Sequence, residues 1–192
     1  MRKLVVSEFI TVDGVIEDPG GAEGAEHGGW AFRFDRGPEG DAFKLEEVKQ
    51  AGTLLLGRRT YEGFAAAWPS REDEAGFAEK MNSMPKVVVS STLDRPEWNN
   101  SRVLAGDLGE AVAELKREEG GEILVNGSAQ LARALGEHGL IDEYRLMVFP
   151  VVLGAGKRLF AEAGGERAMR LRQARQAGEC LIVTYEPAQA GA

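Results

Sequence analysis

One device recurs along this chain: a short apolar run that ends on glycine or serine just before a helical pattern. It is clearest in Thr53–Glu62, TLLLGRRTYE. Thr53 to Leu56 carry the signal of a short buried strand. Gly57 breaks the run, and a helical pattern with Tyr61 and Phe64 follows. A backbone that passes from strand through glycine into a helix can approach a phosphate closely. The amides of a first helical turn favour an anion, and Arg58 and Arg59 add charge and planar donors. The same residues also fit an ordinary strand-to-helix turn with two solvated arginines, because the pattern is not a P-loop.

The device returns twice. Lys86–Val89 is an apolar strand closed by Ser90-Ser91-Thr92, and Glu122–Val125 runs into Asn126-Gly127-Ser128 before a helix bearing Leu131 and Leu135. Further strands are expected at Lys3–Val12, Arg102–Ala105 and Asp142–Val148, with a hairpin over Met169–Gln173 and Cys180–Tyr185 turning at Gly178. Helices are expected from about Thr60 to Ala67, over Phe77–Ser83, and from Asp107 to Arg117. A weaker helical arrangement covers Asp41–Ala51, with Asp41 as N-cap and Gly52 as stop. Glu17–Gly40 holds seven glycines and reads as a long binding or lid loop; Trp30, Phe32 and Phe34 alternate within it, either as packing residues or as a stacking platform. Alternating strands and helices imply an α/β fold, with a mostly parallel central sheet flanked by helices and an antiparallel C-terminal strand or hairpin. One domain over 1–187 with a frayed tail at 188–192 is expected.

Composition narrows the function. A net charge of −8 argues against broad nucleic-acid binding or attachment to acidic membranes. No apolar run is long enough to span a bilayer and the N-terminus lacks a signal-peptide pattern, so a cytoplasmic protein is expected. Cys180 is the only cysteine and lies in an apolar run, as a small buried hydrophobe would. His27 and His138 lack metal-ligand spacing, so no metal is expected. Gly154-Ala155-Gly156-Lys157-Arg158 fails as a P-loop because Val151 stands at the first glycine and Arg158 at the Ser/Thr.

In a parallel sheet, Gly57-Arg58, Ser90-Ser91 and Asn126-Gly127-Ser128 share the carboxyl edge, where ligands bind at a topological switch point. Each is also explicable as a turn or N-cap; together they favour a dinucleotide. The acid–base candidates are Glu8, which is unusual inside a strand, and Asp13, Asp35 and Asp41. A serine hydrolase built on Ser90 or Ser128 with His27 or His138 lacks a nucleophile-elbow pattern.

The ordered segments SEFITVDGVIEDPGG, LLLGRRTYEGFAAAWP, MPKVVVSSTL, ILVNGSAQLARAL, LIDEYRLMVFPVVLGAGKRLF and LIVTY resemble the dihydrofolate reductase-like superfamily. They are most similar to stand-alone relatives of the riboflavin-biosynthesis reductase, the RibD C-terminal domain. The resemblance implies NADPH as cofactor. Residues matching Gly57, Arg58, Arg59 and Thr60 would hold its phosphates, and Ser90 and Ser91 would lie by the adenosine. Asn126, Gly127 and Ser128 would approach the pyrophosphate and nicotinamide ribose, with a cis peptide before Gly127. Backbone at Phe9 and Ile16 would meet the carboxamide. Asp41, at the spacing of the acid that protonates a pterin in dihydrofolate reductases, and Glu8 are the catalytic candidates. A small substrate, pterin- or pyrimidinedione-like, would sit by Trp30, Val151 and Leu153. The resemblance also implies a homodimer. The expected function is an NADPH-dependent reductase, with a non-catalytic NADP(H)-binding module as the alternative.

Overall fold

A computed structural model describes residues 1–160 and 165–188. Its centre is an eight-stranded sheet: β1 (Leu4–Thr11), β2 (Ala51–Gly57), β3 (Lys86–Val89), β4 (Ser101–Leu104), β5 (Glu122–Val125), β6 (Glu143–Phe149), β7 (Met169–Ala177) and β8 (Cys180–Pro187). The spatial order is β4-β3-β2-β5-β1-β6-β8-β7. The first six in that order are mutually parallel, and β8 and β7 return antiparallel beyond β6. The expected α/β architecture and C-terminal hairpin are present.

The period-two alternation of strand side chains sorts the core. Leu4 and Val6 of β1, Leu55 of β2, and Ile123 and Val125 of β5 face one side. There they meet α4 (Leu108–Leu115) through Val112 and Leu115, and α5 (Ala129–Glu137) through Leu131 and Leu135. Val5, Leu54, Leu56 and Leu124 face the other side. They pack on Val48 of α1 (Gly37–Gln50), Tyr61 of α2 (Arg58–Ala67) and Met81 of α3 (Phe77–Ser83). A third cluster gathers Trp30, Met147, Phe149, Ala177, Cys180 and Ile182 under the start of α1. Burial pushes the Cys180 thiol up to about 11, as an inert packing residue requires.

Some boundaries differ from expectation. Helix α1 begins at Gly37 with Arg36 at its N-cap and Pro38 in the first turn, so Asp41 lies inside the helix and caps nothing. Proline's fixed φ starts the helix earlier than the aspartate signal suggested. Gly52 does not stop it: the helix ends at Gln50, and Gly52 belongs to β2. Within the 17–40 segment, Trp30–Arg33 forms a turn of 3-10 helix; Trp30 is buried and Phe32 is 78% exposed. Of the expected tail, Ala188 is tied to Ala168 by a backbone hydrogen bond. The rest, 189–192, lies outside the described residues.

Candidate cofactor and substrate cleft

Strand lengths create the cleft. β5 stops at Val125, opposite Val6 of β1, while β1 runs on to Thr11 beside β6 and β2 runs on to Gly57 beside β3. Beyond the end of β5 the sheet is split between β1 and β2. The turn Asn126-Gly127-Ser128 fills that split: the Asn126 side-chain amide donates to the Ser7 carbonyl at 2.8 Å, and Gly127 N–H donates to Glu8 Oε1 at 2.6 Å. The cis peptide lies one bond later than expected, between Gly127 and Ser128.

Two glycines are required by close approach. A Cβ on Gly57 would meet Ser128 Oγ at 2.7 Å and its Cβ at 3.3 Å. Gly127, at φ +77°, would put a Cβ 3.0 Å from Thr60 Oγ1. The start of α2 and the turn after β5 are therefore packed backbone to side chain. Gly57, the N-cap of α2, makes no side-chain capping bond. The first-turn amides of this helix are thus not occupied by a side-chain cap, unlike those of α5, where Ser128 Oγ accepts from Leu131 N–H. Arg58 is paired with Glu62 at 3.1 Å with both side chains about half exposed, so that pair is weak and easily exchanged.

The cleft at this edge has a volume of about 2010 Å³. It brings together every residue expected at the cofactor: Phe9, Ile16, Gly57, Arg58, Arg59, Thr60, Ser90, Ser91, Asn126, Gly127 and Ser128 all line it. Ser90 also organises its own turn, its hydroxyl accepting from Thr92 N–H at 3.1 Å and Leu93 N–H at 3.0 Å. Ser128 caps the start of α5 while His138 caps its end, which separates that serine from that histidine by the length of the helix.

The residues expected at the substrate behave differently. Trp30, Val151 and Leu153 do not line the cleft. Trp30 is buried, its indole N–H donating to the Glu17 carbonyl at 2.9 Å, and Val151 and Leu153 pack beside it in the third cluster. These positions serve packing: Trp30 and Phe34 turn inward on Phe149, while Phe32 stays exposed. Asp41 does line the cleft, but its carboxylate is 64% exposed and held by Arg36 Nε at 2.5 Å. It is thus an exposed, ion-paired carboxylate rather than a buried one. Asp13 accepts from Thr11 Oγ1, Leu153 N–H and Gly154 N–H, which keeps its carboxyl low and makes it a clamp on the 150s loop.

Glu8 is buried and its carboxyl is pushed up to about 8, chiefly by desolvation, against the opposing pull of the Gly127 amide and of Lys44. It faces the α5 side of the sheet with Val6 and Ile10, whereas its neighbours Ser7 and Phe9 face α1.

Sequence reading missed two features. Asp18, 3% exposed, accepts from Glu23 N–H and Ala25 N–H, while its carbonyl accepts from Gly21 and Gly29. It folds the loop that supplies Ile16, Glu17 and Glu23 to the cleft wall; its Asp-Pro-Gly context was the available signal. The second is a polar group on the α1 side. Lys44 Nζ lies 2.5 Å from Glu47 Oε2 and 2.7 Å from Ser7 Oγ, with Glu47 only 2% exposed. Lys44 and Glu47 lie one turn apart on α1, but nothing in the weak helical pattern showed that this turn faces the sheet.

A model of the RibD C-terminal domain matches residues 2–183. The chain belongs to that family. The Bacillus subtilis (strain 168) uncharacterized protein YyaP is 30% identical over 165 residues, covering 84% of this chain and 81% of that protein. Among solved structures, a putative riboflavin biosynthesis protein from Shewanella sp. PV-4 superposes with a TM-score of 0.77 at 19% identity, covering 97% and 99% of the two chains. A dihydrofolate reductase from Enterococcus faecalis, complexed with NADP(H), superposes with a TM-score of 0.57 at 17% identity and 97% coverage of both chains. The RibD C-terminal domain therefore has here the fold of a dihydrofolate reductase-like protein. No helix among the described residues is long and apolar enough to cross a membrane.

Proposed function

We propose that this protein is a cytoplasmic NADPH-dependent reductase acting on a small heterocycle, pterin- or pyrimidinedione-like, and working as a homodimer of one-domain chains. The observation that carries the reading is the cleft edge: the side-chain-uncapped start of α2, with Arg58 and Arg59, packed against the Asn126–Ser128 turn at a split in a parallel sheet. Membership of the RibD C-terminal family supports it.

In this reading the amides of Arg58–Thr60 and the two guanidinium groups take the cofactor phosphates, including the 2′-phosphate. Ser90 and Ser91 flank the adenosine. The turn at Gly127 holds the pyrophosphate and nicotinamide ribose, and backbone at Phe9 and Ile16 meets the carboxamide. Nicotinamide supplies hydride chemistry; the protein binds, orients and excludes water. Glu8, protonated near neutrality, fixes the Gly127 turn and is the remaining proton-donor candidate.

A fluorescence titration tests this reading. NADPH binds more tightly than NADH, and Arg58→Ala with Arg59→Ala removes the difference. Equal affinity for the two nucleotides in the wild type sinks the 2′-phosphate assignment.

One observation favours a second reading, a non-catalytic NADP(H)-binding module: Asp41, the acid expected on the α1 side, is exposed and paired with Arg36 rather than buried against the cleft. That module would bind NADPH yet leave it unoxidised against pterin and pyrimidinedione panels under single-turnover conditions.

A further inference from the structure

Buried acids in this fold are compensated, with one exception. Glu47 pairs with Lys44, and Glu143 pairs with Lys3 and Arg145. The Asp18 carboxylate accepts from two backbone N–H groups. Glu8, 8% exposed, has a single hydrogen bond, from Gly127 N–H to Oε1, and no lysine or arginine at ion-pair distance among the described residues. No described donor reaches its Oε2. A buried carboxylate without a cation is costly, and here burial has raised the carboxyl to about 8.

The place of this acid is as telling as its isolation. Glu8 lies beyond Val6, where the pairing of β1 with β5 ends, so it stands at the split in the sheet. Its side chain lines the cleft, between the Gly127 turn and the backbone of Phe9. The charged groups around it leave it without a cation of its own. Lys44 of α1 is already paired with Glu47, and Glu23 of the 17–29 loop adds a further negative charge. Lys157 lines the same cleft but is bound by Glu17. Arg58 and Arg59 line the cleft at the start of α2, and the first turn of α5, from Ala129 to Ala132, is uncharged.

We infer that Glu8 selects the redox state of the bound nucleotide: its carboxylate pairs with the cationic ring of NADP+, so the oxidised cofactor binds with release of a proton and the reduced cofactor without it. The inference rests on the reductase reading for the place of the nicotinamide. The nicotinamide ring carries a positive charge in NADP+ and none in NADPH. The oxidised form therefore supplies the cation that Glu8 lacks and favours its ionised state. A neutral ring over the same carboxyl only removes water and favours the protonated state. NADP+ affinity rises with pH from the carboxyl's value in the complex up to its value in the free protein, and levels off above that. NADPH affinity does not rise in that range.

The test is a calorimetric titration of both nucleotides across that range, in buffers of different ionisation enthalpy. The 2′-phosphate is common to both, so the comparison between them cancels its titration. In wild-type protein the affinity for NADP+ relative to NADPH rises at least about tenfold from about pH 6 to about pH 9, which equals a tenfold change in the proton affinity of Glu8. At about pH 7, NADP+ releases at least about half a proton more per site than NADPH. Glu8→Gln keeps an acceptor for Gly127 and removes both differences, an effect that a merely structural role would not produce. Should Glu8→Gln fail to fold, difference infrared spectra of wild-type protein carry the same expectation: NADP+ removes the carbonyl stretch of a protonated carboxyl and NADPH does not.

Equal pH dependence and equal proton release for the two nucleotides overturn the inference while leaving the reductase reading intact. So does a Glu8→Gln variant that keeps the difference, or a protonated carboxyl band that survives NADP+. Failure of both nucleotides to bind wild-type protein overturns the reductase reading, and this inference with it.

Discussion

The two sides of the cleft are built from different materials. The side formed by Gly57–Thr60 and Asn126–Ser128 is mostly backbone: helix-start amides, a glycine turn and two positions where a Cβ does not fit. The side formed by Ser7, Phe9 and α1 is mostly side chains: a lysine, a buried glutamate, a serine hydroxyl and an aromatic ring. Backbone recognition suits a ligand part that stays constant, such as a nucleotide phosphate. Side-chain recognition can change with single substitutions while the fold is kept, which suits the part that distinguishes one substrate from another.

This contrast can be broken experimentally. The largest effect is expected on the side-chain half. Lys44→Met strands the buried Glu47 carboxylate and should cost about 3–5 kcal/mol of stability in denaturant titration. Adding Glu47→Leu should recover most of it. A loss below about 1 kcal/mol would mean that Glu47 is readily hydrated and the α1 side is not preorganised.

On the backbone half, Gly57→Val should weaken NADPH binding by about 100-fold, or about 2.7 kcal/mol, because the new side chain pushes Ser128 and the turn away from α2. Near-normal affinity would show that the close approach of the two turns is not needed for binding.

Glu8 joins the two halves, and pH reads it. Its folded-state carboxyl is raised from 4.5 to about 8, so between those values the native state holds a proton that the unfolded chain has released. Stability therefore falls as pH rises through that window, by at most about 1.4 kcal/mol per pH unit. The groups acting on Glu8 are the Gly127 amide, Lys44, Glu23 and Glu47. Glu8→Gln keeps an acceptor for Gly127 and should flatten the slope; an unchanged slope assigns it elsewhere.

Smaller still is the effect of Asp41. Its exposed pair with Arg36 predicts that Asp41→Asn changes stability by less than about 0.5 kcal/mol and leaves any NADPH oxidation within about twofold of wild type. A loss of oxidation of about 100-fold would restore it as the acid.

What the sequence revealed follows the same division. The strand ends at Gly57, Ser90 and Val125 were legible because apolar runs, glycines and N-cap residues act locally, and local signals survive in one dimension. Their meeting at one edge followed from the parallel sheet. The α1 side was not legible, because Lys44, Glu47 and Ser7 are joined only by tertiary packing of a helix with little apolar periodicity onto β1. Asp41 was misread for the opposite reason: a cap-like aspartate was outcompeted by Pro38 three residues earlier. Trp30, Val151 and Leu153, expected at the substrate, pack in the third cluster away from the cleft, with Trp30 edge-on against Phe149.

The most direct test of the account is a crystal structure of the protein soaked with NADP+. The account predicts phosphate density against the amides of Arg58–Thr60 with the 2′-phosphate within reach of Arg58 or Arg59. It also predicts the nicotinamide at the sheet split beside Phe9 and Ile16, with open space toward Lys44. A nucleotide bound away from the start of α2, or one whose nicotinamide lies outside the split, would contradict it.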